Sequence, residues 1–170
     1  MKENAPQQAL RHKVLEILDH TEISATDAAD MSLLGEEGGR ILMEIANGTL
    51  QTSRYQRGNA VYLLGLLKND RHEHCLLSVL TKSEEDRLKI LAIRALGKTA
   101  TRNAAQALAH LIKSGKSTLP QVQSAIATLG DIGGAEELKL LENYHTGHID
   151  PLIRCSIESA MISIRQRIRG

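Results

Sequence analysis

Aromatic residues and proline are nearly absent from this sequence. Its 170 residues include no tryptophan, no phenylalanine, three tyrosines and three prolines. Strands favour aromatic and β-branched residues, so this composition argues against a core made of β-sheet. Leucine, isoleucine and alanine must supply the packing, which suits short, closely packed helices. A chain of this length can bury a substantial core, and we expect one all-α domain.

Cysteines and long apolar runs are also scarce. Cys75 and Cys155 are far apart, lie among apolar residues and lack the spacing of a metal site or a disulfide framework. We therefore expect both to be reduced, buried and hydrophobic in character. The N-terminal segment lacks an apolar signal-peptide core, and no apolar run approaches the ~18 residues of a membrane span. These features predict a soluble, cytoplasmic protein.

Charge is balanced overall but uneven along the chain. The formal net charge is +1, whereas residues 51–116 contain 12 basic and 5 acidic side chains. This central segment is a candidate anion-facing surface. The same excess is also typical of ordinary solvated helix faces, so both interpretations stay open.

A pattern of two amphipathic helices recurs along the chain. Aligned on the small residue near the end of each first helix, its copies are spaced 30, 32, 33 and 31 residues apart. Apolar residues recur one and four positions before this anchor, and small residues recur five positions before it. These positions share one helix face, and a fixed period of this size is typical of stacked repeats. The anchors are Gly35, Gly65, Gly97, Gly130 and Met161.

The repeats predict the organisation of the whole chain as a single domain of residues 1–170. Residues 1–23 form an N-terminal capping helix, residues 149–170 a C-terminal helix, and four helical pairs lie between them. We expect the anchor glycines to end the first helices, Gly35–Gly39 and Gly133–Gly134 to be turns, and Ser83 to cap a helix. The four pairs are predicted at 24–50, 51–82, 83–116 and 117–148.

Two segments carry a resemblance to a known family. Ala92–Gly97 reads AIRALG and Ala125–Gly133 reads AIATLGDIG. This pattern, followed by a loop and a leucine-rich helix, resembles HEAT-like repeats of the short bacterial type over Thr26–Ile164. The resemblance implies an all-α, right-handed α-solenoid (an α-α superhelix) of about four and a half helical hairpins. Armadillo repeats have a third helix, which does not fit these periods.

The resemblance also identifies enzyme classes against which the sequence can be compared. Di-iron hydroxylases of this fold hold their metals with several His-Glu pairs, and this sequence has the pair His72-Glu73 without counterparts in the other repeats. HEAT-like DNA glycosylases need aromatic residues around the damaged base, which are scarce here. His145, His148 and Asp150 have zinc-ligand chemistry, but they fall in a turn where Asp150 is the expected N-cap. We therefore predict a non-enzymatic protein without a metal or cofactor.

The resemblance places the binding surface on the second helices, which line the concave face of HEAT-like stacks. Equivalent positions then form polar ladders across the repeats. Such ladders are typical of a protein-binding groove and also of any solvated face. The candidate partner-binding residues are Arg71, His74, Ser78, Arg102, Gln106, His110, Lys113, Glu136, Lys139 and Asn143.

Three kinds of partner are considered. The favoured interpretation is an interaction module, acting as an adaptor, regulator or inhibitor of another protein. The alternative is binding of a nucleic-acid backbone through the basic central repeats, which would require the cations to share a face. A homodimer could also form through an exposed end of the stack, because Ile162, Ile164 and Ile168 follow the last repeat.

Overall fold

The computed structural model describes residues 5–147 and 150–169, and these residues form helices without any strand. The all-α prediction is confirmed. The described helices, numbered in chain order, are α1 Ala5–Leu18, α2 Ala25–Leu33, α3 Gly35–Asn47, α4 Arg54–Leu67, α5 Asp70–Lys82, α6 Asp86–Thr99, α7 Arg102–Lys113, α8 Leu119–Ile132, α9 Ala135–His145 and α10 Pro151–Arg169.

Side-chain capping contacts fix the starts of several helices. Ser53 accepts a hydrogen bond from Gln56 N at 3.1 Å, and the Gln56 side chain accepts one from Ser53 N at 3.1 Å. Such a capping box pairs two backbone N–H groups that a helix leaves free at its start. At the start of α7, the Thr101 side chain accepts a hydrogen bond from Ala104 N. Just after the end of α7, Gly115 has a left-handed φ of 63°.

The helices pack in two rows with a repeat-like order. The first-helix row consists of α2, α4, α6, α8 and α10, each in contact with the next, and the second-helix row consists of α3, α5, α7 and α9. Each second helix also contacts the first helix that follows it, which ties the rows together. Helix α1 packs on α2, α3 and α4 at the N-terminal end.

The core consists of the apolar columns that the repeat pattern predicts. Residues one, four and five positions before Gly65, Gly97 and Gly130 are buried in all three repeats. Their burial removes aliphatic surface from water, at about 25 cal/mol per Å². These core residues are Ala60, Val61, Leu64, Ala92, Ile93, Leu96, Ala125, Ile126 and Leu129.

The three central anchor glycines do not end their helices, so that prediction was wrong. Gly65, Gly97 and Gly130 each lie two residues before the last residue of α4, α6 and α8. A Cβ at Gly65 would lie 2.7 Å from the carbonyl oxygen of Ala95, and one at Gly130 would lie 3.0 Å from the Cα of Ala160. These glycines therefore allow neighbouring first helices to approach closely.

The helix ends are made by other residues. Lys68 and Ala100, three residues after their glycines, adopt left-handed φ angles of 45° and 53° at the ends of α4 and α6. That conformation is strained for residues with a Cβ. In α4 and α6, the left-handed residue that ends the helix therefore lies after the glycine that allows the helix to pack closely.

Two further boundary predictions were wrong. Gly35–Gly39 is the first part of α3 rather than a turn, and only Gly35, with a φ of 65°, has turn geometry. Gly38 and Gly39 are buried inside α3. Ser83 does not cap α6, which begins at Asp86, because its hydroxyl accepts a hydrogen bond from Glu85 N at 3.1 Å before the helix starts.

The close contacts also correct the register of the last repeat. Gly65 faces Ala95, two residues before Gly97, and in the same way Gly130 faces Ala160. Two residues after Ala160 comes Ile162, which therefore occupies the glycine position, whereas the sequence alignment had placed Met161 there. Ile162 is 54% exposed at the end of the first-helix row.

We predict that Gly65→Ala destabilises the protein by about 1–3 kcal/mol, because the added methyl group meets the backbone of α6, which cannot rotate away. The matched control is Gly58→Ala in the same helix, whose Cβ would contact only the Leu91 Cδ1 methyl, at 3.2 Å. This control should leave stability unchanged or raise it by up to about 1 kcal/mol, since alanine favours helix. Urea unfolding followed by circular dichroism measures both, and equal effects would contradict the packing role of Gly65.

A buried carboxylate fixes the start of α2. The Asp27 side chain accepts hydrogen bonds from the backbone and hydroxyl of Ser24, both at 2.7 Å, and lies 2.6 Å from His20 Nδ1. The Ser24 backbone N–H contributes most to lowering the pKa of Asp27 below its ordinary value of 3.8, and the Ser24 hydroxyl and His20 add to it. Asp27 therefore stabilises the fold when ionised.

We predict that Asp27→Asn lowers the free energy of unfolding at neutral pH by about 1–2 kcal/mol, because the charge-assisted hydrogen bonds to Ser24 are lost. A lowered folded-state pKa means that this stabilisation is present above the ordinary pKa and is lost as pH falls through the folded value. The difference from wild type should therefore shrink as pH falls below the ordinary pKa of 3.8. The control is Asp30→Asn, exposed on the same helix. A difference that persists in acid would contradict the ionic origin.

Candidate interaction surface

The ten predicted partner-binding residues all lie on the second-helix row. Nine of them are exposed and Ser78 is half-buried. Helix α5 contains Arg71, His74 and Ser78; α7 contains Arg102, Gln106, His110 and Lys113; and α9 contains Glu136, Lys139 and Asn143.

The opposite faces of these helices hold them in place. Leu76, Leu108 and Leu141 are fully buried on α5, α7 and α9. Backbone contacts between α5 and α7, and between α7 and α9, order the three helices side by side. The exposed polar side chains are therefore presented by a packed scaffold, as a binding surface requires.

Most of these polar groups have no partner among residues 5–147 and 150–169. Arg102 Nη2 lies 3.0 Å from Glu136 Oε1 and links α7 to α9, but both side chains are more than two-thirds exposed, so this ion pair contributes little. The other eight side chains make no hydrogen bond or ion pair with the residues that the structure describes. Their donors and acceptors are free to contact a partner.

Six of the ten residues line three shallow cavities instead of one pocket. Lys113, Glu136, Lys139 and Asn143 line a cavity of about 420 Å³ on α7 and α9. Ser78 lines a second cavity of about 350 Å³, and Arg71 lines a third of about 460 Å³. Leu140 and Tyr144, which the sequence pattern did not single out, supply the apolar part of the first cavity.

The His72-Glu73 pair lies in the packed interior. Both residues are buried, and the Nδ1 atom of His72 has no hydrogen-bond partner among the described residues. Burial lowers the pKa of His72 below its ordinary value of 6.5, so the ring is neutral at physiological pH. A Cβ at Gly39 would lie 3.2 Å from its Nε2 atom, so His72 packs closely against α3.

The cysteine prediction holds for one residue only. Cys75 is buried, and burial raises the pKa of its thiol to about 11, which keeps it protonated. Cys155 is exposed on α10, so its predicted burial was wrong. Its apolar sequence neighbours Ile153 and Ile157 are buried, and helical periodicity turns Cys155 away from them.

The proposed metal-ligand group is only partly described. His145 Nε2 lies 3.1 Å from Glu158 Oε1, and Asp150 accepts a hydrogen bond from Leu152 N at 2.8 Å, which is the N-cap contact expected of it. His148 lies outside the described residues. Within residues 5–147 and 150–169, no three metal-ligating side chains come together.

The basic residues of the central segment are distributed over both rows. Arg57 is turned inward, where its Nε donates to the Ala46 carbonyl at 3.0 Å and its guanidinium lies 2.9 Å from Glu85. Exposed cations of the first-helix row are Arg54, Arg87, Arg94 and Lys98, and those of the second-helix row are Arg71, Lys82, Arg102 and Lys113.

Comparison with known proteins identifies no relative. No family model matches the chain, and no curated protein matches it. None of the helices in the described part of the chain combines the length and apolar character of a membrane span. The functional argument therefore depends on the surface geometry described above.

Proposed function

We propose that this protein is a non-enzymatic protein-interaction module, an adaptor, regulator or inhibitor built as a right-handed HEAT-like solenoid of about four and a half helical hairpins. Two observations support the architecture: the alternating rows of helices and the repeated contact of a glycine with the next first helix. We further propose that it acts in the bacterial cytoplasm, as the resemblance implies.

The observation that carries the function is the set of eight unpaired polar side chains on α5, α7 and α9. They include cationic, imidazole, amide and hydroxyl groups, so the surface is chemically mixed. Mixed polar groups around small apolar areas, such as Leu140 and Tyr144, are typical of protein interfaces. A second protein can therefore satisfy this surface better than a uniformly charged polymer can.

The curvature of the stack affects which row faces the partner. Neighbouring first helices approach to backbone contact at Gly65 and Gly130, whereas a cavity of about 420 Å³ opens on α7 and α9 of the second-helix row. A stack bends toward its more closely spaced row, and this packing favours the first-helix row as the inner side. We therefore propose the ten residues as a binding surface without assigning them to a concave face.

We predict that a tagged version of the full chain captures one stoichiometric protein from native cell extract and retains it after nuclease treatment. Changing His74, Gln106 and His110 to glutamate should abolish capture, because three carboxylates replace imidazole and amide groups at the centre of the surface. The control carries glutamate at Leu119, Gln123 and Ala127, which are exposed on α8 of the first-helix row. Loss of the partner with the control, but not with the first variant, would contradict this surface.

A nucleic-acid backbone is the second candidate, and one observation favours it. Arg87, Arg94 and Lys98 are exposed at helical spacing on one face of α6. If this candidate is correct, nucleic acid is recovered in the same pulldown, bound proteins are lost with nuclease, and affinity falls steeply with salt.

A second copy of the chain is a further candidate partner. Leu152, Cys155 and Ile162 lie on one exposed stripe of α10, the last helix of the first-helix row. Ile162 occupies the position of the packing glycines, so another first helix cannot approach α10 as closely as α8 does. In a dimer, α10 of one copy would therefore pack on α10 of the other copy. The two stacks would not join into one longer row of first helices.

We predict that sedimentation at about 100 µM detects a dimer, a concentration at which even a weak micromolar pair is largely formed. Ile162→Glu should restore the monomer, because it introduces a charge into the apolar stripe. The control is Ala127→Glu on α8, which should leave the dimer intact. A monomeric wild-type protein at this concentration would exclude the dimer.

A further inference from the structure

A groove of about 520 Å³ lies on α4, α6 and the segment before α2. It belongs to the first-helix row and contains none of the ten residues discussed above. Its volume falls in the range of about 300–1,000 Å³ that is typical of ligand sites. Its apolar lining consists of Ile23, Tyr55, Tyr62, Leu88 and Leu91, including two of the three tyrosines in the chain.

The walls of this groove are held by contacts within the protein. The Tyr55 hydroxyl donates to the His20 carbonyl at 2.6 Å, and the Asn59 side chain donates to the Leu18 carbonyl at 2.9 Å. Lys98 Nζ lies 5.7 Å from the centre of the Tyr62 ring, within cation–π range. A ligand would therefore enter a groove that is already formed and lose little free energy in ordering it.

Gly58 lies in the lining of the groove, together with Leu91. A glycine inside a helix destabilises it relative to alanine, and a Cβ at this site would meet only the Leu91 Cδ1 methyl, at 3.2 Å. Packing between helices does not require this glycine, in contrast to Gly65. The absence of its side chain instead leaves room in the groove.

Comparison between repeats indicates that this groove is not a general result of stacking. Gly58 lies seven residues before the packing glycine of α4, and the equivalent positions of α6 and α8 hold Ile90 and Gln123. Tyr62, three residues before that glycine, is replaced by Arg94 and Ala127 in the same two helices. This combination of a glycine and a tyrosine therefore occurs only at α4 among these three helices.

The rim of the groove includes two arginines that are available to a ligand. Arg54 and Arg87 are exposed in its lining and make no ion pair within the described residues. Of the two carboxylates in the lining, Glu85 is already paired with Arg57 at 2.9 Å, which leaves Glu22 as the one unpaired acid in this part of the structure. Arginine guanidinium groups with no partner match carboxylates on a ligand.

We propose that this groove binds an acidic peptide segment of a partner protein. One apolar side chain of the segment enters the space above Gly58, between Tyr62 and Leu91. Carboxylates on either side of that residue contact Arg54 and Arg87. This proposal adds a second binding surface, of defined chemistry, to the proposed function. It rests on that function in one respect, namely that the partner is a protein.

A single-stranded nucleic acid fits the groove less well. Such polymers require a cationic track with free aromatic faces for stacking of bases. Here the ammonium of Lys98 already lies over the Tyr62 ring, so that face is not free for stacking of a base. A peptide with an apolar residue between carboxylates matches the groove better, because its apolar side chain can contact the apolar lining and its carboxylates can contact the arginines of the rim.

The experiment is a titration of the ¹⁵N-labelled full chain with blocked pentapeptides, followed by amide chemical shifts. The peptide pool carries aspartate or glutamate at the four outer positions and leucine, isoleucine, methionine or phenylalanine at the centre. We expect saturable shifts in residues 55–62 and 87–91. The same pool with lysine at the outer positions should bind at least tenfold more weakly, because it places positive charges against Arg54 and Arg87.

Two variants locate the site. Gly58→Leu should weaken binding at least tenfold by filling the space in the groove, and the double variant Arg54→Gln and Arg87→Gln should do the same by removing the rim charges. The matched control is Gln123→Leu, at the equivalent exposed position of α8, which should bind normally. If Gly58→Leu fails to fold, the arginine variant still tests the proposal, because both of its side chains are exposed.

Four outcomes would overturn the inference: no shift with any acidic peptide, equal shifts with the lysine pool, shifts confined to α5, α7 and α9, or displacement of the peptide by an oligouridine at the same residues. None of these bears on whether a partner is captured from cell extract through His74, Gln106 and His110. The proposed function and this inference can therefore fail separately.

Discussion

Close contact between first helices is the constraint on which the rest of this structure depends. A core without tryptophan or phenylalanine cannot fill wide gaps, so its helices must approach until small side chains meet. Gly65 against Ala95 and Gly130 against Ala160 achieve this approach. Because each contact fixes one first helix against the next, it also determines where the second helices lie and which of their residues reach solvent.

Much of the fold could be predicted from sequence, because the burial pattern repeats. Columns such as Leu64, Leu96 and Leu129 must share a helix face, and all three are fully buried. The glycine beside each column was misinterpreted, because glycine is typical of helix ends and only the neighbouring helix reveals a packing role. Lys68 and Ala100 could not have been predicted as left-handed, since neither residue type favours that conformation.

The candidate surfaces were predictable to different extents. Exposure of residues such as His74 and Gln106 follows from helical periodicity, and the structure places them on the solvent side of the second-helix row. The groove on α4 and α6 could not be predicted, because it combines residues from separate repeats and a segment before α2. The one sign of the groove in the sequence is Gly58, which lies inside a helix. The equivalent positions of the next two first helices, α6 and α8, carry side chains.

The two rows therefore differ in what they can recognise. Second helices present polar groups on a surface with shallow cavities, where affinity must come from many weak contacts over a large area. The first-helix row contains a preformed groove with charged edges, where a single side chain can be buried and oriented. The close packing at Gly65 and Gly130 holds neighbouring first helices against one another. Binding at the two surfaces can then be additive, because neither requires the core between them to rearrange.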